Sequence, residues 1–388
     1  MRWLGFGTYD TRAHPRVAVL LEGLAALGED VEEVVEPLGL STAQRVDLLR
    51  RPWRVPALAA RLAVRWARLV RRGLPALDRS CDAVVVGYLG HFDVLLARLL
   101  VTGVGLARRQ RRPRIVLDHL VSASGTAQDR RLAAGGGAKD RLLRALDAAA
   151  LRAADVVLVD TPERLPQLTD TGRERALVVP VGATESWFRA GAARPVEADV
   201  DRPVRVVFVG LFTPLHGAIT IARAVGELGP LLDDRRLEVT LVGSGQDHAE
   251  ARRVLGARAG VTWQDWVPAE QLPGVVAAHD VGLGIFGTTA KALTVVPTKV
   301  FQAAAAGCAV VTSDTAPQRD SLRDAAVFVP PGDASALASA LMALAYDHGW
   351  VRRLQLAARA VAHDRYRPAA VAAPLVERLA RRAGRIGL

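Results

Sequence analysis
The chain has 388 residues, half of them hydrophobic, and a formal net charge of +11 carried almost wholly by arginine, with only Lys139, Lys291 and Lys299 as lysines. That length and apolar content exclude global disorder and suit two cores of ordinary domain size. Two isolated cysteines, Cys81 and Cys308, no apolar run of eighteen uncharged residues and no signal-type N-terminus argue against a disulfide scaffold, a membrane span and secretion, so reduced thiols in a cytoplasmic setting are expected.

Residues 1–180 alternate short apolar runs with longer helical patterns, the order that builds a parallel sheet covered on both faces. Strands are predicted at Leu4 to Gly7, Ala83 to Gly87, Arg114 to Leu117, Val156 to Val159 and Leu177 to Val179. Helices are predicted at Arg16 to Leu27, Leu95 to Leu106 and Ala138 to Ala153, with a break at Gly135-Gly136-Gly137. From Arg45 to Arg79 ten arginines face only Asp47 and Asp78 and interleave with Trp53, Trp66 and many aliphatics. This is the pattern of a solvated helical face or of an interfacial helix lying on an anionic membrane, and a peripheral contact at the inner membrane face is one expectation it raises.

Between Gly182 and Pro203 the periodicity lapses into a linker containing an Asp-x-Asp, Asp199 and Asp201. A second series of strands follows at Val204 to Val209, Glu238 to Val242, Val261 to Trp263, Val281 to Ile285, Ala309 to Thr312 and Ala326 to Val329. The expected architecture is α/β, with two doubly wound Rossmann-like domains facing each other across a cleft. The expected division is residues 1–185 for the first domain, 186–364 for the second, and a C-terminal helix at 365–388 crossing back onto the first.

The most informative stretch is VVPTKVFQAAAAGCAVVTSD, residues 295–314. Pro297 stands where a helix starts, and Gly307 suits a left-handed C-terminal cap. The helix N-terminus at Thr298 and Lys299 would offer backbone N–H groups, a positive dipole end and an ammonium to an anion. Two glycine-containing loops precede it. In VFVGLFTPLHG, Gly210 lets a ligand approach the backbone, while Thr213 and His216 supply polar groups; Gly243 and Gly245 in LVGSGQD act likewise. Neither loop is a P-loop, and no dinucleotide fingerprint is present.

In the first half, polar residues collect where strands end: Thr8 and Tyr9, Tyr88 and His91, then Asp118, His119, Ser122 and Ser124. Of these, Thr8, Tyr9, His91 and Ser122 are acceptor-side candidates. The eight histidines show no metal-ligand spacing, and neither a metal site nor nucleic-acid binding is expected.

In this order the motifs VVPVGATESWF, FVGLFTPLHG, LVGSGQD, VTWQDWVPAEQLPGVVAAHDVGL and PTKVFQAAAAGCAVVTSD resemble retaining glycosyltransferases of family 4, the group 1 glycosyltransferases with a GT-B fold. The resemblance implies transfer of a sugar from a nucleoside diphosphate sugar to a hydroxyl acceptor, with no cofactor and no bound metal. It implies catalytic roles for His119, His216 and Lys299. It further implies donor contacts from Gly210, Thr213, Gly243, Gly245, Trp266, Val267, Thr294, Pro297, Thr298 and Gln302. Two departures stand out. Thr294 and Gln302 occupy positions where many members carry glutamates, and Thr213 and His216 lie where many carry an arginine and a lysine. A binding module without transferase activity and a GT-B sugar-nucleotide epimerase are the alternative readings.

Overall fold
The computed structural model describes residues 1–11, 14–39, 55–78, 81–109, 112–120, 122–125, 137–194 and 202–384. The chain forms two compact units, Met1–Pro180 with Ala372–Leu388, and Val181–Val371. The helix Pro368–Gly384 therefore starts in the second unit's share of the chain and ends in the first's.

The first unit is built on a six-stranded, wholly parallel sheet in the order β2-β1-β3-β4-β5-β6. Its strands are β1 (Arg2–Gly7), β2 (Asp30–Val35), β3 (Ala83–Val86), β4 (Arg114–Asp118), β5 (Val156–Val159) and β6 (Ala176–Val178). AVVV in β3 and VVLV in β5 are buried along their whole length, as expected of parallel strands covered on both faces. The edge strand β2 is absent from the sequence reading. Its segment, DVEEVV, buries only Val34, and Glu32 pairs with Arg2 across the ladder, so apolar pattern gave it no signature.

Four long helices lie between these strands: α1 (Pro15–Ala26), α2 (Val55–Asp78), α3 (His91–Arg108) and α4 (Ala138–Ala153). The chain runs β1-α1-β2 toward one edge and β2-α2-β3-α3-β4-α4-β5 toward the other. Right-handed crossovers then set α1 on one face and α2, α3 and α4 side by side on the opposite face. Accordingly α2 packs on α3, and α3 on α4. The buried side of this layer includes Leu69 of α2, Val94 and Val101 of α3, and Ala150 of α4.

The second unit repeats the plan, with sheet order β12-β11-β10-β7-β8-β9. These strands are β7 (Val204–Val209), β8 (Leu237–Val242), β9 (Val261–Gln264), β10 (Val281–Leu283), β11 (Ala309–Ser313) and β12 (Ala326–Val329). Cys81 and Cys308 are buried free thiols, each pushed up to about 12 by burial. Among the described residues no helix is long and apolar enough to cross a membrane. Arg45 to Arg54, Gly135-Gly136 and the Asp199 and Asp201 pair lie outside the described residues.

A carboxylate hub ties the second unit's opening segment to its sheet. Asp280, just before β10, is almost fully buried; its Oδ2 accepts from Arg202 Nη1 at 2.7 Å and from the Arg205 backbone N–H at 2.9 Å, and its Oδ1 accepts from Arg202 Nη2 at 2.8 Å and from Arg194. Burial alone would raise its pKa, but the Arg202 bond, the Arg205 amide and the nearby guanidinium charges outweigh it and hold the carboxyl below its ordinary value. We expect Asp280→Ala to cost about 3 kcal/mol in urea unfolding, because it strands partly buried arginines. The same group contributes stability that is present above its unfolded pKa near 4 and is lost as pH falls through its lower folded value. A loss below about 1 kcal/mol, or no steepening of acid unfolding relative to the variant, would contradict this role.

Candidate functional site
In the second unit the loops after β7 and β8 come together with the helix Thr298–Ala305. The LVG turn after β8 approaches the VGL turn after β7 so closely that a Cβ on Gly243, at φ +122°, would sit 2.0 Å from the Gly210 carbonyl oxygen. Gly245 is equally confined, 2.5 Å from the carbonyl oxygen of Phe212, and Phe212 N–H donates to Ser244 O at 3.1 Å. The sequence therefore needs glycine here to let two turns pack backbone to backbone, and both turns stay thin. Gly217, at φ +68°, plays a similar part against the Phe286 backbone at the far end of the first loop.

Lys299 sits in the first turn of the Thr298–Ala305 helix, whose N-cap is Pro297 in an extended conformation. The helix thus starts one residue later than the sequence reading placed it, because a residue with ψ of 147° cannot take part in the helix. Lys299 as a whole is partly exposed, but its Nζ is buried and has no hydrogen-bond partner among the described residues. It lies 4.0 Å from the centre of the Phe208 ring, and a Cβ on Gly210 would meet it at 2.4 Å. Burial lowers its pKa well below the ordinary value.

His216 closes the other side. Its Cε1 lies 3.3 Å from the same Gly210 position, and its Nδ1 bonds the Leu211 carbonyl. Burial first, and then the neighbouring Lys299, push the imidazole down to about 3, so the ring is neutral at physiological pH. Lys291 adds to the positive field there. Gln302, one turn beyond Lys299, borders with it a small, mostly apolar recess lined also by Trp187, Val207, Gly282 and Leu283. A buried amine that has no hydrogen-bond partner among the described residues and lies beside two glycine turns is suited to meeting an anion.

The remaining donor-side candidates differ in setting. Thr294 gives its hydroxyl to the carbonyls of Ala290 and Lys291, at 3.2 and 3.3 Å. Thr213 offers its carbonyl to the His216 amide within the loop turn. Pro297, Thr298 and Val267 are partly exposed, and Trp266 is 75% exposed.

In the first unit the strand-end residues are held by two carboxylates. Asp93 of α3 accepts from the Thr8 N–H and hydroxyl, at 2.7 and 2.8 Å, and from the Trp66 indole at 3.0 Å. Asp147 of α4 accepts from the Ala123 and Ser124 N–H groups and the Ser124 hydroxyl, at 2.8, 3.0 and 2.6 Å, and lies 2.9 Å from His91 Nε2. Burial would raise the Asp147 carboxyl, but His91, Ser124 and these amides together bring it to about 2. His119 stands edge-on to His91, with ring centres 5.6 Å apart. Burial, with His91 second, brings its imidazole down to about 3.

Two of the acceptor-side candidates are held within the unit. The Thr8 hydroxyl is committed to Asp93, and the Tyr9 ring fills the space that Gly5, Gly7 and Gly87 leave open beneath β1, with its hydroxyl buried. Both residues brace the sheet edge from within. Ser122 Oγ accepts from the Gly125 amide at 3.0 Å and shapes the loop. Asp118, at the end of β4, is likewise structural: buried, it accepts from Arg16 Nε at 2.6 Å, and Arg16 also donates to Val179 O. Asp93, Asp147 and Arg16 have no motif in the sequence, since each acts by reaching an element distant along the chain.

Residues 203–347 match the family model described as glycosyl transferases group 1. A UDP-N-acetylglucosamine--N-acetylmuramyl-(pentapeptide) pyrophosphoryl-undecaprenol N-acetylglucosamine transferase of Rhodococcus opacus is 32% identical over 181 residues, which span 46% of this chain and 40% of that protein. Sucrose-phosphate synthase from Thermosynechococcus elongatus superposes with a TM-score of 0.66 at 18% identity over the full length of both chains. Anabaena HepE in complex with UDP-glucose gives 0.64 at 14% identity, over 97% of this chain and 98% of its own. The fold is GT-B. In this GT-B chain the group 1 match begins just before β7, and so includes both glycine turns and the helix carrying Lys299.

The buried amine makes a stability prediction. Below the ordinary lysine value of 10.5 the unfolded chain takes up a proton that folded Lys299 does not, so folding loses stability as pH falls from there toward the folded pKa. Lys299→Met removes that penalty. We expect the variant to melt higher than the wild type at pH 7, by about 2–4 °C for each kcal/mol relieved, and its advantage to vanish as pH approaches 10.5. Parallel melting curves across that range would show the lysine to be charged in the folded protein.

Proposed function
We propose that the chain is a retaining, metal-independent glycosyltransferase that moves a sugar from a nucleoside diphosphate sugar to a hydroxyl acceptor. The observation that carries this reading is Lys299 Nζ, buried without a partner beside the glycine turn at Gly210. Such a group costs stability unless a ligand answers it, and a diphosphate answers it with charge and hydrogen-bond acceptors together.

The donor pyrophosphate binds over Gly210 and Gly243 and beside the Thr298 and Lys299 amides. Lys291 supplies further positive field, and neutral His216 donates or accepts one hydrogen bond. Gln302 takes the place of a ribose-binding carboxylate, with an amide able to bond a hydroxyl. In the reaction the bond between the anomeric carbon and the diphosphate oxygen breaks as the acceptor oxygen bonds the same face of that carbon. The acceptor proton passes to the departing phosphate, so no protein nucleophile is required. Rate enhancement comes from stabilising the leaving diphosphate through preset donors.

Thermal-shift screening against a panel of nucleoside diphosphate sugars should find one that raises the melting temperature, since ligand binds only the folded state. Burial lowers the Lys299 pKa and pairing with diphosphate raises it again, so proton uptake on binding, read as a dependence of the calorimetric binding enthalpy on the buffer's ionisation enthalpy, tests that pairing. Lys299→Ala should slow turnover at least about tenfold, equivalent to about 1.4 kcal/mol of barrier. Unchanged turnover removes Lys299 from the mechanism. A donor that binds yet is neither hydrolysed nor transferred turns the reading into that of a binding module, and an inverted anomer in the product refutes retention.

A further inference from the structure
The helical layer of the first unit has an outward face that the reaction does not use. On α3, Phe92, Leu99 and Leu106 recur every seven residues and are 49%, 71% and 76% exposed. Seven residues make two helical turns, so these side chains form one apolar stripe about 21 Å long. The helices on either side add to it, with Val64 of α2 at 53% and Leu142 of α4 at 69% exposure. Isolated exposed leucines mean little, but an apolar stripe this long, with additions from both neighbouring helices, marks an interaction surface.

Charge identifies the partner. Arg61 and Arg71 of α2, Arg109 just after α3, and Arg141 and Arg152 of α4 are all exposed, and none makes an ion pair among the described residues. The acids of these helices point elsewhere: Asp93, Asp140 and Asp147 are buried, and the exposed Asp78 is paired with Arg108. A second copy of the chain packed about a two-fold axis would set one arginine rim against another, which is unfavourable. Nucleic acid would engage the arginines but leave the aliphatic stripe in water. An anionic bilayer accommodates both, with leucine and phenylalanine at the acyl boundary and guanidinium groups on lipid phosphates.

We propose that the face formed by α2, α3 and α4 docks on anionic phospholipid membrane, with the three helices lying in the plane of the interface. The inference stands on these exposed residues alone and does not depend on the reaction assigned above.

Flotation of the full-length protein with phosphatidylcholine vesicles, with and without phosphatidylglycerol, tests it. Wild type should float with the anionic vesicles and little with the neutral ones, and added salt should weaken the binding. Replacing Phe92, Leu99 and Leu106 together by Ser should lower the partition coefficient at least about tenfold, since three apolar side chains leave the lipid. Replacing Arg61, Arg71 and Arg141 by Gln should cost about fivefold per residue and flatten the salt dependence. All six positions are exposed, and melting curves with nucleoside diphosphate binding check that each variant is folded. No preference for anionic vesicles, or partition unchanged in both variants, overturns the proposal. So does a dimer in sedimentation velocity that the serine variant dissolves, which would assign the stripe to a second copy.

Discussion

A lysine amine held out of water, with no counter-ion among the described residues, organises the second unit. Lys299 Nζ lies over the Phe208 ring, a face that a cation or a neutral amine can both occupy. Several features of the surroundings follow from this one constraint. A Cβ on Gly210 would displace the flexible Lys299 Nζ from its place, and Gly243 must lack a side chain because a Cβ there would press on the Gly210 carbonyl. The helix carrying the lysine must begin at Thr298, so that the amine is delivered to the ends of β7 and β8. The folded protein therefore carries at this point a buried amine whose hydrogen-bonding capacity is unused among the described residues.

The first unit solves a different problem by similar means. Its strand ends must present polar loops without letting them fray, and two carboxylates from consecutive helices, Asp93 and Asp147, each gather several donors from a single loop. A carboxylate accepting several N–H and O–H bonds is stable when buried, which is why Asp147 stays ionised at about 2. Asp280 does the same work in the second unit with arginines as donors. In all three cases a residue that looks like a catalytic acid when read in isolation acts as a fastener. Polar groups at sheet edges thus divide into those whose bonding capacity is used up within the protein and those, such as Lys299 Nζ and Gln302, that retain capacity for a ligand.

Much of this was legible beforehand. Buried parallel strands such as AVVV and VVLV announce themselves because both faces are covered and no polar residue interrupts them. The helix at Thr298–Ala305 was readable from Pro297, the alanine run and Gly307, which adopts φ +78° as a C-terminal cap requires. The edge strand DVEEVV was not, since only one of its residues is buried and its acids mimic a loop. The settings of Thr8 and Tyr9 have no sequence signature for a related reason. Position after a strand says that a residue is near the sheet edge, not whether its side chain turns outward or back beneath the strand.

Taken alone, the amino-acid order determined the two-sheet plan, the helix bearing Lys299 and the glycine turns, because these depend on local periodicity, backbone freedom and capping within a few residues. Only the tertiary structure decided which polar groups are already satisfied, that Lys299 Nζ lies buried with no partner among the described residues, and that Phe92, Leu99 and Leu106 face outward near arginines that make no ion pair among the described residues. Those properties depend on residues from distant parts of the chain meeting in space, and burial and hydrogen-bond satisfaction have no local signature in sequence.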